Sequence, residues 1–534
     1  MQLDLLPPEL ILKIFIHLDY RSLVLAREVC TLFCSLVDDH ATLQYKIELA
    51  CANMQDGPPS NLTAADRLSL LKRHQSAWNT LQWTSSQEVS MNTGRVWELY
   101  GGVLAQSRDP SNLSFRTLPS QLRGVEEQTW NITFEHTIIR DFAMDPSQDL
   151  LVFLEPPERI FMNPDVGVEI RTRIRLRSLS TGGCHPAGPD TGLLIHSTCT
   201  PEITRMSFSI MIHADYVAIH YMSNVESNPE LEVWNWKTGE SVMCVHGDRI
   251  RTASFLGEHY MLVGGWAPGA SQCSLYVLDL HKVSGTHLLE ETSYTCEFLF
   301  PQFDHWTSQL AFSIRADPAP SWQPDQAKSV PFHIASQSRL YVIITLVRTP
   351  ERIFSYDLFV LSDTFLRLIA QLGHDEERRQ FSWEEWGPHG TRLVPSLPHS
   401  SVWVCFVYGT KFATIFQSDG LPEHPSVIEI WDFNSVGIRK GHLAGEHSLE
   451  DEDNKQDKTW NVQWHKGDTS IVSDGAFVGD VRTRLPYRIV RRTLPSSTLE
   501  DGDDPEDSYH DLMCSEDNLI LVDATRRQFR ILSF

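Results

Sequence analysis

Arg171, Arg173, Arg175 and Arg177 stand at every second position of one run, with Thr172, Ile174 and Leu176 between them. A strand sends alternate side chains to opposite faces, so all four guanidinium groups fall on one side. Such a row can grip a carboxylate- or phosphate-bearing peptide through paired N–H donors, and these four are the candidate target-binding residues. The plainer reading is a solvated strand that pairs with the protein's own acids. Glu384 and Glu385, between Trp383 and Trp386, form the one carboxylate pair with aromatic neighbours. A glycosidase uses such a pair, but a sheet edge or loop is the simpler role. Two acidic runs, at 448–453 and 500–511, read as solvated inserts. A calcium loop is a poor fit, because Asp501-Gly502-Asp503-Asp504 lacks the downstream Glu of an EF-hand and Pro505 interrupts it.

Other chemistry is harder to find. There is no Gly-x-Gly-x-x-Gly, no P-loop, no His-Glu-x-x-His and no Gly-x-Ser-x-Gly. The 22 histidines show no tight ligand spacing; His213 and His220 are seven apart. The ten cysteines form no CxxC, and the nearest pair, Cys30 and Cys34, lies on one helical pattern. They read as thiols of a reducing compartment, which leaves the sequons at Asn61, Asn112 and Asn131 without weight. The expectation is a chain with no catalytic residue, no metal and no cofactor.

Charge narrows the partners. With 45 Lys and Arg against 69 Asp and Glu, the 534-residue chain has a formal charge of −24. It repels phosphate backbones and anionic bilayers, so neither nucleic acid nor membrane is an expected partner. No run of 18 apolar residues exists to span a bilayer. Asp4, Glu9 and Pro7-Pro8 argue against a secretory signal, and the expected location is the cytoplasm, the nucleus or both. At 41% hydrophobic and 10% aromatic, the composition suits one large repeat domain plus something small.

The small part comes first. Leu6, Leu10, Ile14 and Leu18 recur every four residues, with Ile11 and Phe15 beside them, after Pro7-Pro8 at a helix start. Ser22 and Thr31 are candidate caps for two more short helices. Three helices in about forty residues bury little area, and this apolar stripe is too wide for them to cover. Part of it should meet a partner.

Leu6-Pro7-Pro8-Glu9-Leu10, then Ile14, Leu18, Leu23 and Val29-Cys30-Thr31-Leu32-Phe33, resemble the F-box pattern over about residues 2–45. Phe33 stands where that family often has Trp, which keeps the aromatic bulk. The resemblance implies a surface for the Skp adaptor of SCF-type ubiquitin ligases and, through it, a cullin. It marks Leu6, Pro7, Leu10, Ile11, Ile14, Leu18, Leu23, Val29 and Leu32 as adaptor-binding, with Leu25, Phe33 and Leu36 turned inward. A helix from about residue 63 to 81 follows the break at Asp56-Gly57-Pro58-Pro59. Its Arg67-Leu68-Ser69-Leu70-Leu71-Lys72-Arg73-His74 stretch resembles fungal F-box proteins, and Arg67, Lys72, Arg73 and His74 read as its solvated face.

From about residue 93 the period changes from helical to alternating. An apolar run and then a short alternating strand return six times, the second member starting near 174, 231, 275, 357, 428 and 529. Glu232-Val233-Trp234-Asn235 and Glu429-Ile430-Trp431-Asp432 resemble WD-repeat strands, without the Gly-His half of that signature. Propeller blades need ~40–50 residues each, so the longer gaps hold insertions or a degenerate blade. The fold expected is a small all-α F-box head at 1–50, a helical linker at 51–85 and a large all-β domain at 90–534. For the last, a β-propeller of six to eight blades is favoured over a β-sandwich or two β-domains. Residues 95–106 are expected to close the ring against 529–534, and a fragment from Ser90 onward to fold alone. The function expected is substrate recognition in a ubiquitin ligase, with a non-ubiquitylating scaffold or a propeller enzyme as alternatives.

Overall fold

The computed structural model describes residues 6–161, 168–200, 206–223, 229–267, 269–325, 329–336, 338–373, 378–398, 405–417, 425–443, 459–494, 509 and 511–534. The acidic runs lie outside these, apart from Tyr509 and Asp511.

Four helices open the chain: α1 (Pro8–Phe15), α2 (Tyr20–Arg27), α3 (Thr31–Asp39) and α4 (Ala41–Ala52). Pro7 precedes α1 with no side-chain cap, as a proline-led start allows. Asp19, not Ser22, caps α2, accepting the Ser22 N–H at 2.7 Å. The α3 start is Thr31, preceded by Cys30 with no capping bond. Ile11, Phe15, Leu23, Phe33, Val37, Leu43 and Ile47 form the core of this unit. Phe15 and Phe33 meet edge to face at 5.2 Å, so the aromatic at position 33 has a packing role.

Helix α5 (Ala64–Thr80) starts on a reciprocal cap, Thr63 with Asp66. Lys72 and Arg73 are solvated as expected, but Arg67 and His74 are buried. Arg67 bonds the carbonyls of Pro58 and Pro331, and His74 lies 3.0 Å from Asp517. A guanidinium and an imidazole in a helical pattern look solvated, yet here they are polar contacts between α5 and the β-domain.

That β-domain is a propeller of seven sheets, antiparallel except for the outermost pair of blades three and four. Blade one runs from Trp97–Tyr100 through Val103–Asp109 and Asn112–Thr117 to Gln128–Thr133. The inner strands of blades two to six are Asp141–Asp145, Met206–His213, Ile250–Leu256, Ser308–Arg315 and Val407–Tyr408. Blade seven joins Asp511–Cys514, Asn518–Asp523 and Gln528–Ser533 to Ser85–Ser90. The six recurring strands of the sequence are the third strands of blades two to seven: Val168–Ser178, Glu230–Asn235, Ser274–Asp279, Ile353–Leu361, Ser426–Asp432 and Gln528–Ser533.

Two expectations change. The strand that closes the ring is Ser85–Ser90, paired residue for residue with Gln528–Ser533. Residues 95–106 supply the first two strands of blade one instead. For blade six the sequence offers the apolar run 403–407 ahead of the strand near 428, but the second strand is Lys411–Gln417.

The helical head is fastened to the propeller. Met54–Asp56 pairs with Phe332–Ile334, a strand within the insertion of blade five. The Tyr45 hydroxyl donates to the Pro331 carbonyl at 2.8 Å, and the Asn434 amide to the Cys51 carbonyl at 2.7 Å. Arg123, buried, sits 2.6 Å from Asp517 and 2.9 Å from Glu516, so the acid that receives His74 is itself neutralised. Buried charges of this kind are tolerable only when paired.

Candidate functional site

The F-box-like unit buries one side of its apolar stripe and leaves the other in solvent. Ile11 and Leu23, both nominated as adaptor-binding, are fully buried and offer no surface. Leu6, Leu18 and Leu32 are half-buried against the same core, and Pro7 is exposed. Leu10 is 45% exposed, Ile14 43%, Leu25 64% and Val29 68%. The inward assignment of Leu25 is corrected, because α2 turns Leu23 to the core and leaves Leu25 in solvent. Ile16 and Val24 are also exposed, and the sequence pattern does not single them out. Their spacing carries no signal of side, because a broad stripe does not say which edge is wet. Exposed apolar side chains concentrated in so small a unit mark a contact surface more than a solvated one. Arg27 and Asp38 pair at 2.7 Å beside it.

The arginine row is a row, and each member is already engaged. Arg171 pairs with Glu169 at 2.9 Å, Arg173 with Glu158 at 2.8 Å and Arg175 with Glu155 at 2.5 Å. Arg177 donates to the carbonyls of Leu176 and Gly192. Strand Glu158–Phe161, antiparallel to Val168–Ser178, supplies Glu158, and Glu155 lies just before it. Glu155 and Glu158 are invisible to a local pattern because they come from the neighbouring hairpin.

Glu384 and Glu385 lie on α7 (Trp383–Gly390), introduced after α6 (Ser362–Ile369) in the blade-five insertion. Glu385 accepts the Ser382 N–H at 2.7 Å and pairs with Arg379 at 2.9 Å, so it caps the helix. That bond and Arg379 hold its carboxyl below the usual range. Trp383 and Trp386 are buried in the core. The arrangement is a helix start, with no facing carboxylate pair.

The fold does bring together one histidine cluster that spacing concealed. His259, Asp279 and His281 place their ligand atoms within 4.8 Å of one another. The two imidazoles stack with planes 5° apart, and Asp279 accepts the His281 backbone N–H at 3.0 Å. Ring-nitrogen lone pairs lie in the ring planes, so parallel rings do not aim at one ion. His213 is held by the Glu258 carbonyl at 2.9 Å.

No helix among the described residues is long and apolar enough to cross a membrane. Residues 3–49 match the F-box-like family. None of the curated proteins compared with the chain matches it. Among solved structures it is similar to Kluyveromyces lactis Hsv2 (complete loop 6CD) at 11% identity, over 56% of this chain and 72% of that one, with TM-score 0.22. It is similar to the WD40 domain of SCAP from fission yeast at 7% identity, over 73% and 82%, with TM-score 0.27. The chain carries an F-box-like domain ahead of a seven-bladed propeller.

Proposed function

We propose that this pairing of an F-box-like domain with a propeller is the substrate-recognition subunit of an SCF-type ubiquitin ligase. The F-box-like face binds the Skp adaptor and, through it, a cullin; the propeller binds a target protein. The chain supplies no catalytic residue of its own, and its contribution is to hold the target near the conjugating enzyme. It works in the cytoplasm, the nucleus or both.

The observation that supports this reading is the division within the head. Ile11, Phe15, Leu23, Phe33 and Val37 already complete a core, while Leu10, Ile14, Leu25 and Val29 remain in water. A helical unit that needed those four for its own stability would bury them. An apolar centre with charged neighbours, here Glu9, Arg27 and Asp38, is the usual anatomy of a protein–protein contact. The rigid fastening of head to propeller fits the same role, because a target held on the propeller then keeps a fixed place relative to the adaptor.

The test is co-purification of the full chain with the Skp adaptor, wild type against Leu10→Asp. Capture of adaptor and cullin by the wild type alone supports the reading. Equal adaptor capture by both chains sinks it. A cullin-dependent change in the abundance of proteins bound by the propeller separates a ligase subunit from a scaffold.

A further inference from the structure

The inner strands of blades one to five enclose a cavity of about 380 Å³ at the centre of the ring, lined by Glu98, His220, Arg251, Arg315 and Asp317 among its polar groups. The inner strands of blades four and five are stitched there: the Ile314 N–H donates to the Thr252 hydroxyl at 3.1 Å. Arg251 adjoins Thr252 and Arg315 adjoins Ile314, and both arginines line the cavity. Each arginine spends Nη1 on nearby backbone carbonyls, Arg315 on Ile314 at 3.0 Å and Arg251 on Ile250 at 3.0 Å and on Asp248. Among the described residues neither makes an ion pair with a carboxylate, unlike Arg123, Arg173, Arg175, Arg488 and Arg491 elsewhere in the chain.

A guanidinium stays charged even where burial penalises it, and burial does lower the pKa of both. Burial pushes both acids of the lining toward their neutral forms. Burial, with the charges of Asp317 and Asp141, pushes Glu98 well up. Burial pushes Asp317 up to about 7, against the pull of Arg315. On a chain of net charge −24 this lining carries two guanidinium groups. A second observation is independent of the arginines. His220 is 2% exposed, lines the same cavity, and among the described residues its Nε2 has no hydrogen-bond partner. Burial and Arg251 lower its pKa to about 4, so the ring is neutral and can donate one N–H. An orphaned ring nitrogen in a buried wall is costly unless something in the cavity meets it.

We propose that the centre of the propeller binds a small anion of the phosphate or carboxylate class, held between Arg251 and Arg315 with His220 as a further donor. Each arginine retains donors that its backbone bonds do not use, and a planar guanidinium fork matches either oxyanion. Glu98, which burial holds toward its neutral form, adds an O–H donor to the same volume. The site is independent of the adaptor reading, since it rests on the propeller interior alone.

Calorimetric titration of the purified full chain at pH 7 with inorganic phosphate, pyrophosphate and citrate tests it. Saturable binding is expected for at least one probe, with Kd raised tenfold or more in Arg251→Gln and in Arg315→Gln and unchanged in the surface variant Lys72→Gln. Pyrophosphate binding without citrate assigns a phosphate ligand; the reverse assigns a carboxylate. Arg315→Lys, which keeps the charge and loses the fork, should fall between wild type and Arg315→Gln. The His220 imidazole resonance of labelled wild-type protein should shift as the anion saturates, a readout that needs no variant. Absence of saturable binding by all three probes overturns the proposal, and so does binding that leaves the His220 resonance fixed.

Discussion

The ring of Trp78, on α5, stacks on the ring of Phe534 with centroids 4.2 Å apart and planes 17° apart. Both are buried, and the Lys411 ammonium lies 5.2 Å from the Trp78 centroid. The helix after the F-box-like unit is therefore part of the propeller's core between blades six and seven, rather than a free connector.

Trp78→Ala should cost about 3–5 kcal/mol, the usual range for emptying a buried aromatic site. A fragment beginning at residue 90 lacks α5 and Ser85–Ser90 as well. It would expose the edge of Gln528–Ser533, a template for aggregation. The fragment should be unstable or aggregated by size-exclusion chromatography, whereas one beginning at residue 53 should be monomeric and cooperative in urea. A well-folded fragment from residue 90 would show that the stacked pair and the closing strand are dispensable.

Leu10 and Ile11 are neighbours with opposite fates, which separates binding from folding. Leu10→Asp places a carboxylate in water and should leave thermal stability within about 1 kcal/mol of wild type. In an adaptor complex the same carboxylate would be buried unpaired, so capture should be lost. Ile11→Asp buries the charge in the head itself and should unfold it, at several kcal/mol. Adaptor capture by Leu10→Asp at wild-type affinity would contradict the proposed face.

Six of the seven blades are legible in the sequence through their third strands, and in five of them the second strand is a legible apolar run as well. Leu150–Leu154 and Asn518–Asp523 are buried at every position, sandwiched between neighbouring sheets. Blade one escapes because its third strand, Asn112–Thr117, is buried only at alternate residues and carries no Trp-Asp pair. The α1 register is legible from its four-residue period, but not which edge of the stripe faces in; that is decided by α3 and α4 packing onto Ile11 and Phe15. The central cavity gives no local signal at all. Arg251 and Arg315 are 64 residues apart and line one cavity only because blades four and five are adjacent.

Arg173 and Arg175 can be tested against the plainer reading of their strand. Their partners Glu155 and Glu158 are internal, and Arg173 is 39% exposed at the side chain. Exposed ion pairs contribute little, so Arg173→Gln with Arg175→Gln should lower stability by no more than about 1–2 kcal/mol. The loss should shrink in high salt, because screening already weakens the wild-type pairs. Should the row also contact an acidic target, the double variant would lose target capture while keeping the adaptor. Full target capture by the folded double variant leaves the row with a purely internal role.

His196 joins blade two to blade three and makes that joint sensitive to pH. On the outer strand Leu193–Thr200, its Nδ1 lies 2.6 Å from Glu232 and its Nε2 3.0 Å from Glu230, both on the third strand of blade three. Burial alone would lower the imidazole pKa, but the bonds to Glu230 and Glu232 outweigh it and raise the value from 6.5 to about 9. A folded-state pKa above the unfolded one means that the protonated ring stabilises the native state. That stabilisation is complete below about pH 6.5 and drains away as pH rises through 9. The shift corresponds to roughly 3 kcal/mol at its fullest. Wild-type stability in urea should therefore fall between pH 7 and pH 9.5. His196→Gln should start lower at pH 7, because two carboxylates then face each other without a cation, and should fall less steeply. The two curves should converge near the top of that range. Parallel curves from pH 7 to pH 9.5 would mean that His196 is neutral in the folded protein and that the joint is held by packing against Tyr221, whose ring lies 3.9 Å away.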